Sequence, residues 1–142
     1  MADERVVSVK LEQIEQYHAE LKEKQSSLSE EAFLDSTTEQ RAVERMFENA
    51  IQACSDLAQH VATRDFGYEG TTARGAIHTL HEHGVVDEST ASTLVTAVGF
   101  RNVLAHEYGH VDPAKVYETL QSGLTVYDRY SRQIAKWVRS NT

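Results

Sequence analysis

An all-α antiparallel bundle is the fold class this sequence predicts, and three observations predict it. Seven glycines and one proline in 142 residues supply too little turn chemistry for a sheet protein. Apolar residues recur at spacings of three and four, the period that puts them on one face of a helix. The breaks between these runs are short and carry helix-ending and helix-starting residues. The length suits one domain with a core of its own.

Each element follows from its spacing. Val7, Leu11, Ile14, His18 and Leu21 step by 4,3,4,3, predicting a first helix from about Glu4 to Gln25 with an acidic outer face. Ser26 to Thr38, rich in Ser, Thr and acids, reads as a loop with a short turn around Glu31–Leu34. Val43, Phe47, Ala50, Cys54, Leu57 and Val61 step by 4,3,4,3,4, predicting a helix over Thr38 to Arg64. A glycine-marked break, Asp65 to Gly70, precedes a shorter helix with Ala73, Ile77 and Leu80 inward, ending at Gly84. Asp87-Glu88 opens a fourth helix carrying Leu94, Val98 and Phe100. The last starts after Asp112-Pro113, an N-cap and first turn, and carries Val116, Leu120, Leu124, Tyr127, Ile134 and Trp137 or Val138. The sum is four long helices and one short one, joined by short loops, in a single domain over residues 1–142.

Composition narrows the function. Cys54 is the only cysteine, so intrachain disulfides and cysteine-based zinc sites are excluded, and its place on an apolar stripe makes it a small buried hydrophobe. The first residues lack a basic stretch leading into an apolar one, and no apolar run approaches a membrane span, so a cytoplasmic protein is expected. A net charge of −8 argues against loose binding of nucleic acid through a basic surface. Residues 112–142 hold three acids against five bases, so a polyanion is expected to approach the C-terminal half.

The chemistry concentrates in Gly99-Phe100-Arg101-Asn102-Val103-Leu104-Ala105-His106-Glu107-Tyr108-Gly109-His110. On a helix, Asn102 and His106 lie at i,i+4, and Arg101 and Tyr108 at i,i+7, so each pair falls nearly in line. Arg offers a planar fork of donors for a phosphate, Asn orients a neighbour, and His carries a proton at neutral pH. RNA brings its own nucleophile, the 2′-hydroxyl, so cleavage needs only a base, an acid and a charge to neutralise the pentavalent phosphorane. Arg101 suits the last task and His106 the proton transfer. One chain supplies a single such histidine, and a two-fold dimer with both copies of Arg101 and His106 at one cleft supplies the second.

Residues 106–110 also satisfy HExxH, whose histidines at i,i+4 share a zinc in peptidases. Gly109 and Asp112-Pro113 place a helix end between these histidines. No third ligand is marked out, and the chain lacks strands to hold an extended peptide. No metal or other cofactor is therefore expected. His78, His81 and His83 read as solvent-facing residues near a helix end, with no carboxylate or cysteine at ligand spacing, and His18 and His60 as partly buried ones.

Arg101-Asn102 followed by His106-Glu107-Tyr108 resembles the RX4HXY motif of HepT, the HEPN-domain toxin of HEPN/MNT toxin–antitoxin modules. Ala42 to Arg45 and Ala50 to Cys54 are similar in style to the family's second helix, and Val116 to Leu120 to its last. The resemblance implies a HEPN bundle, a homodimer with both motifs at a shared cleft, and a toxic endoribonuclease with Arg101 and His106 catalytic and Asn102 supporting. It also implies a nucleotidyltransferase antitoxin, MntA, that adds AMP to the motif tyrosine, here Tyr108. Gly109-His110 departs from the family's bulkier or acidic residues and leaves a role for His110 open. The alternative is a HEPN protein that binds a nucleotidyltransferase or nucleotides without cleaving RNA.

Overall fold

The computed structural model describes residues 1–106 and 111–141, the side chain of His106 excepted. The chain folds as α1 (Glu4–Ser27), α2 (Glu30–Leu34), α3 (Thr37–Phe66), α4 (Ala73–Glu82), α5 (Glu88–His106), α6 (Pro113–Ser122) and α7 (Thr125–Ser140). The described residues contain no strand, so the expected all-α bundle is the architecture of the molecule. No helix is long and apolar enough to cross a membrane among the described residues.

Local chemistry sets the helix ends. Asp3, Ser29, Ser36, Thr72 and Asp112 each stand at an N-cap, and their side chains accept from backbone N–H groups of the first turn. α3 ends on Gly67 in the left-handed region, φ 64°, which lets Tyr68 N–H reach back to the Ala62 carbonyl at 3.1 Å. The break after α4 uses Gly84 in the same way, with φ 73°.

α3 is the axis of the bundle, with α1, α4, α5 and α6 against it. Its stripe of Val43, Phe47, Ala50, Leu57 and Val61 is fully buried. Each large member contributes about 1.5–3 kcal/mol through burial. Cys54 sits in that stripe as expected, and burial pushes its thiol far above the usual range, so it serves as packing volume. Across the core, Tyr130 of α7 donates its hydroxyl to the Cys54 carbonyl at 3.0 Å.

Two features refine the expected layout. The Ser26–Thr38 segment contains a real helix, α2, held down by fully buried Phe33, whose ring lies 5.5 Å from that of Tyr117 on α6. The final helix is two helices, not one. A Cβ at Gly123 would lie 2.8 Å from the Thr119 carbonyl, so the chain closes α6 with a contact only glycine permits and restarts at Thr125. The apolar spacing continues through this break because both helices cover the same core, with Leu120, Leu124 and Tyr127 all buried.

Candidate active site

α5 carries the polar cluster to the edge of the bundle. Its start is tied to α7: Gln133 donates to Asp87 at 2.8 Å, and Arg129 Nε donates to Thr90 Oγ1 at 2.9 Å. Thr90 N–H caps back onto Asp87 at 2.8 Å, and these hydrogen bonds hold the Asp87 carboxyl below its ordinary pKa. Farther along, Leu94 and Leu104 are buried, and Phe100 meets Phe47 of α3 edge to face with centroids 5.4 Å apart. These contacts fix both the height and the rotation of the helix at Arg101.

Arg101 projects from that point into a cleft of about 640 Å³ between α5 and α3. Its far wall is the polar face of α3, with Arg41, Glu44, Arg45, Glu48 and Asn49. The two glutamates have partners on their own helix: Arg41 pairs with Glu44 at 2.7 Å and Arg45 with Glu48 at 3.4 Å. Arg101 has none among the described residues, and its Nε is buried without a hydrogen bond. A desolvated guanidinium edge is costly unless an acceptor completes it. Among the described residues the cleft thus presents Arg101 unpaired, beside two carboxylates, Glu44 and Glu48, that are already engaged.

The other expected site residues divide. Asn102 is exposed, one residue on in the helix, and does not line the cleft within a single chain. His106 is the last residue of α5, four residues beyond Asn102, as the expected i,i+4 relation requires. Its side chain and residues 107–110 lie outside the described residues. With them go the in-line placement of Tyr108, the HExxH geometry, the expected helix end between the histidines and the question of His110.

The remaining histidines have ordinary partners. His78 pairs with Glu82 at 2.6 Å, so a carboxylate does stand one turn away, contrary to the expectation from sequence. Both side chains are exposed, which makes it a weak surface pair. His83 stacks on Phe66 with centroids 4.1 Å apart. His60 is half-buried and its Nε2 accepts Asp3 N–H at 2.9 Å. Among the described residues, no three His, Cys, Asp or Glu side chains are grouped to hold a metal ion.

The α3 wall is what reading the sequence missed. Arg41, Arg45 and Asn49 repeat at i, i+4 and i+8 on the face opposite Val43 and Phe47, and that regularity was visible. They belong to the acidic N-terminal part of the chain, whose net charge concealed a local concentration of arginine. The cleft that Arg101 lines is built between α5 and α3, and none of its described lining residues lies beyond Val111.

Similarity to other proteins identifies the family. The family model described as Ribonuclease HepT-like matches residues 14–134. The chain is 28% identical to the tRNA nuclease HepT of Aphanizomenon flos-aquae over 133 residues, 94% of this chain and 90% of that one. It is 29% identical over 98 residues to a putative RNase of Archaeoglobus fulgidus, covering 69% of this chain and 74% of that one. Its fold superposes with a TM-score of 0.84 on the tri-AMPylated Shewanella oneidensis HEPN toxin solved in complex with its MNT antitoxin, at 20% identity over 96% of this chain and 99% of the other. With the family model spanning all but the ends of the bundle, and the R-x4-H segment lying inside the match, the chain belongs to the HepT-like ribonuclease family.

Proposed function

We propose that this chain is the toxin of a toxin–antitoxin pair, a metal-independent endoribonuclease of the cytoplasm that works as a homodimer. The observation that carries the reading is Arg101, which lines the cleft between α5 and α3 and whose buried Nε has no hydrogen bond among the described residues. The relatives' names support it, one a tRNA nuclease and one a putative RNase. Transfer RNA is accordingly the first substrate class to test.

In this mechanism a neutral His106 takes the proton from a ribose 2′-hydroxyl as that oxygen attacks the adjacent phosphorus. The P–O5′ bond breaks, and a protonated His106 from the second copy delivers a proton to the departing 5′-oxygen. The products are a 2′,3′-cyclic phosphate and a free 5′-hydroxyl, with no oxidant or metal in the balance. Arg101 donates to the phosphorane oxygens as their charge rises, where a preorganised donor helps most. Asn102, exposed beside Arg101, supports His106 from one turn away.

Control falls to a nucleotidyltransferase antitoxin that adds AMP to Tyr108. The solved HEPN toxin that shares this fold is AMPylated and in complex with its antitoxin, which supports the assignment. An AMP group adds a phosphodiester charge, which repels a phosphate backbone, and a bulky adenosine.

The test is RNA digestion by purified wild-type, Arg101→Ala and His106→Ala proteins, with and without EDTA. Wild type is expected to cut in EDTA and leave cyclic phosphate ends, and both variants to lose on the order of 10²–10⁴ in rate. Full activity in His106→Ala rejects the assignment. Activity that disappears with EDTA and returns with zinc revives the HExxH site, and a folded wild type that cuts no RNA favours a non-catalytic binding role.

A further inference from the structure

We infer that the polar face of α3 is a binding track for single-stranded RNA, in which Arg41 and Arg45 hold phosphates flanking the one that Arg101 engages and Asn49 contacts a base. The inference rests on the ribonuclease reading for the identity of the central phosphate. The track itself is assigned by what stands on α3.

Arg41, Arg45 and Asn49 follow one another at i,i+4 along one helix face, and Gln52 continues the row. From Arg41 to Gln52 the row rises about 16 Å along the helix axis. A single catalytic cation needs no such length, whereas a polyanionic strand passing Arg101 does. The row shares one concave cleft with Arg101, so a strand seated on it is led to the reactive residue.

The pairing within the row suits an exchangeable ligand. Arg45 is 76% exposed and only 3.4 Å from Glu48, and Arg41 is 57% exposed beside Glu44. Their glutamate partners are the more covered members, with side chains 14% and 20% exposed. Each guanidinium has five donors and spends few of them on its glutamate, so a phosphate can take the outward ones while the covered carboxylates stay paired. Asn49 differs in kind. It is half-buried, its amide makes no hydrogen bond among the described residues, and it offers both a donor and an acceptor, the combination that reads an unstacked base edge.

An acidic surface of a partner protein could also meet two arginines. The observations favour RNA because the arginines line one concavity with Arg101, and because the same concavity is lined by the open amide of Asn49, which can meet a base as the arginines meet phosphates.

The experiment measures binding of a fluorescent single-stranded oligoribonucleotide of about 12 nucleotides to the full-length His106→Ala protein across a salt series. Adding Arg45→Ala is expected to weaken binding about fivefold near 0.1 M salt and to reduce the slope of log K against log salt by about 0.7, one phosphate contact. Arg41→Ala is expected to do the same. Arg132→Ala on α7, also an exposed arginine paired with a carboxylate of its own helix but outside the cleft, is the control and is expected to change neither quantity. Asn49→Ala is expected to leave the slope alone and to compress differences in affinity among oligonucleotides of different base composition. Circular dichroism melts verify that each variant is folded. Arg41→Ala and Arg45→Ala proteins that bind RNA like the parent overturn the track, as does loss of affinity for the antitoxin alone. Loss of RNA binding in these variants sustains the track even where wild type proves unable to cut, so the track and the ribonuclease reading can fail separately.

Discussion

Phe100 stands edge to face against Phe47, ring planes 86° apart, and so presses the turn of α5 that carries Arg101 onto the helix that carries Arg41 and Arg45. The contact sets the width of the cleft. Phe47 is fully buried, and Phe47→Ala is expected to cost about 3–5 kcal/mol through lost burial and the cavity left behind. Phe47→Leu keeps most of the volume but loses the ring contact. Its melting temperature is expected to fall less, while RNA affinity falls with it as Arg101 loses its placement. Calorimetry and oligonucleotide binding on the two variants check this, and a Phe47→Leu protein with unchanged affinity counts against the role of the ring pair.

Tyr130→Phe removes one hydroxyl from a site with no exposure to solvent. The Tyr130 bond to the Cys54 carbonyl joins α7 to α3 across 76 residues of chain, and burial raises the pKa of the phenol so that it stays a donor at any physiological pH. The expected loss is about 0.5–1.5 kcal/mol in urea unfolding, with no change in RNA cleavage. A loss of 3 kcal/mol or more, roughly, would point to repacking of the ring and not to the hydrogen bond alone.

Stability is expected to fall on mild acidification. Burial, reinforced by Arg64, holds His60 below its ordinary pKa of 6.5 against the pull of Asp3 and Asp65. Protonation would also remove the Nε2 acceptor of the Asp3 N–H. The unfolded chain therefore takes up its proton first as the pH drops through 6.5, so this contribution is present above 6.5 and lost below it. His18, depressed by burial and by Lys22 against the pull of Asp128, acts in the same sense. Thermal midpoints between about pH 7 and 5 are expected to decline, and less steeply in His60→Gln, which keeps an acceptor but does not titrate. Identical slopes for the two proteins would exclude His60 as a source.

Tyr108→Phe is expected to remain toxic, since the proposed chemistry asks nothing of the phenol, and to escape an antitoxin that works by modification. Co-expression with the nucleotidyltransferase measures survival, and intact-protein mass spectrometry reads AMP-sized additions on the wild type. If the variant is neutralised as well as wild type and no addition is found, the antitoxin acts by binding alone.

Most of the helices could be read directly from the residues. The stripe from Val43 to Val61 places α3 within a residue or two of its observed ends, because a 3.6-residue period and a capping serine act over a few positions of chain. Arg101 as a candidate for anion binding was legible for a similar reason, since guanidinium chemistry and the R-x4-H spacing are local properties. The break at Gly123 was not. The apolar period runs through it unchanged, and what ends α6 there is the approach of one carbonyl to a missing Cβ.

By itself the sequence determined that this chain makes helices, which face of each turns inward, and which short segment holds the arginine, amide and histidines proposed for the chemistry. Only the tertiary structure decided what stands across from that segment. Arg41 and Arg45 lie about sixty positions from Arg101 along the chain, in a part whose acidic surplus argues against anion binding, and they reach the same cleft because Phe47 and Phe100 share a core. Among the described residues the tertiary structure likewise leaves the Arg101 Nε without a hydrogen bond while giving Glu44 and Glu48 to other arginines. The reason is physical: periodicity reports that a face is buried, but the neighbour that buries it, and the charges that neighbour brings, follow from packing between residues distant in the chain.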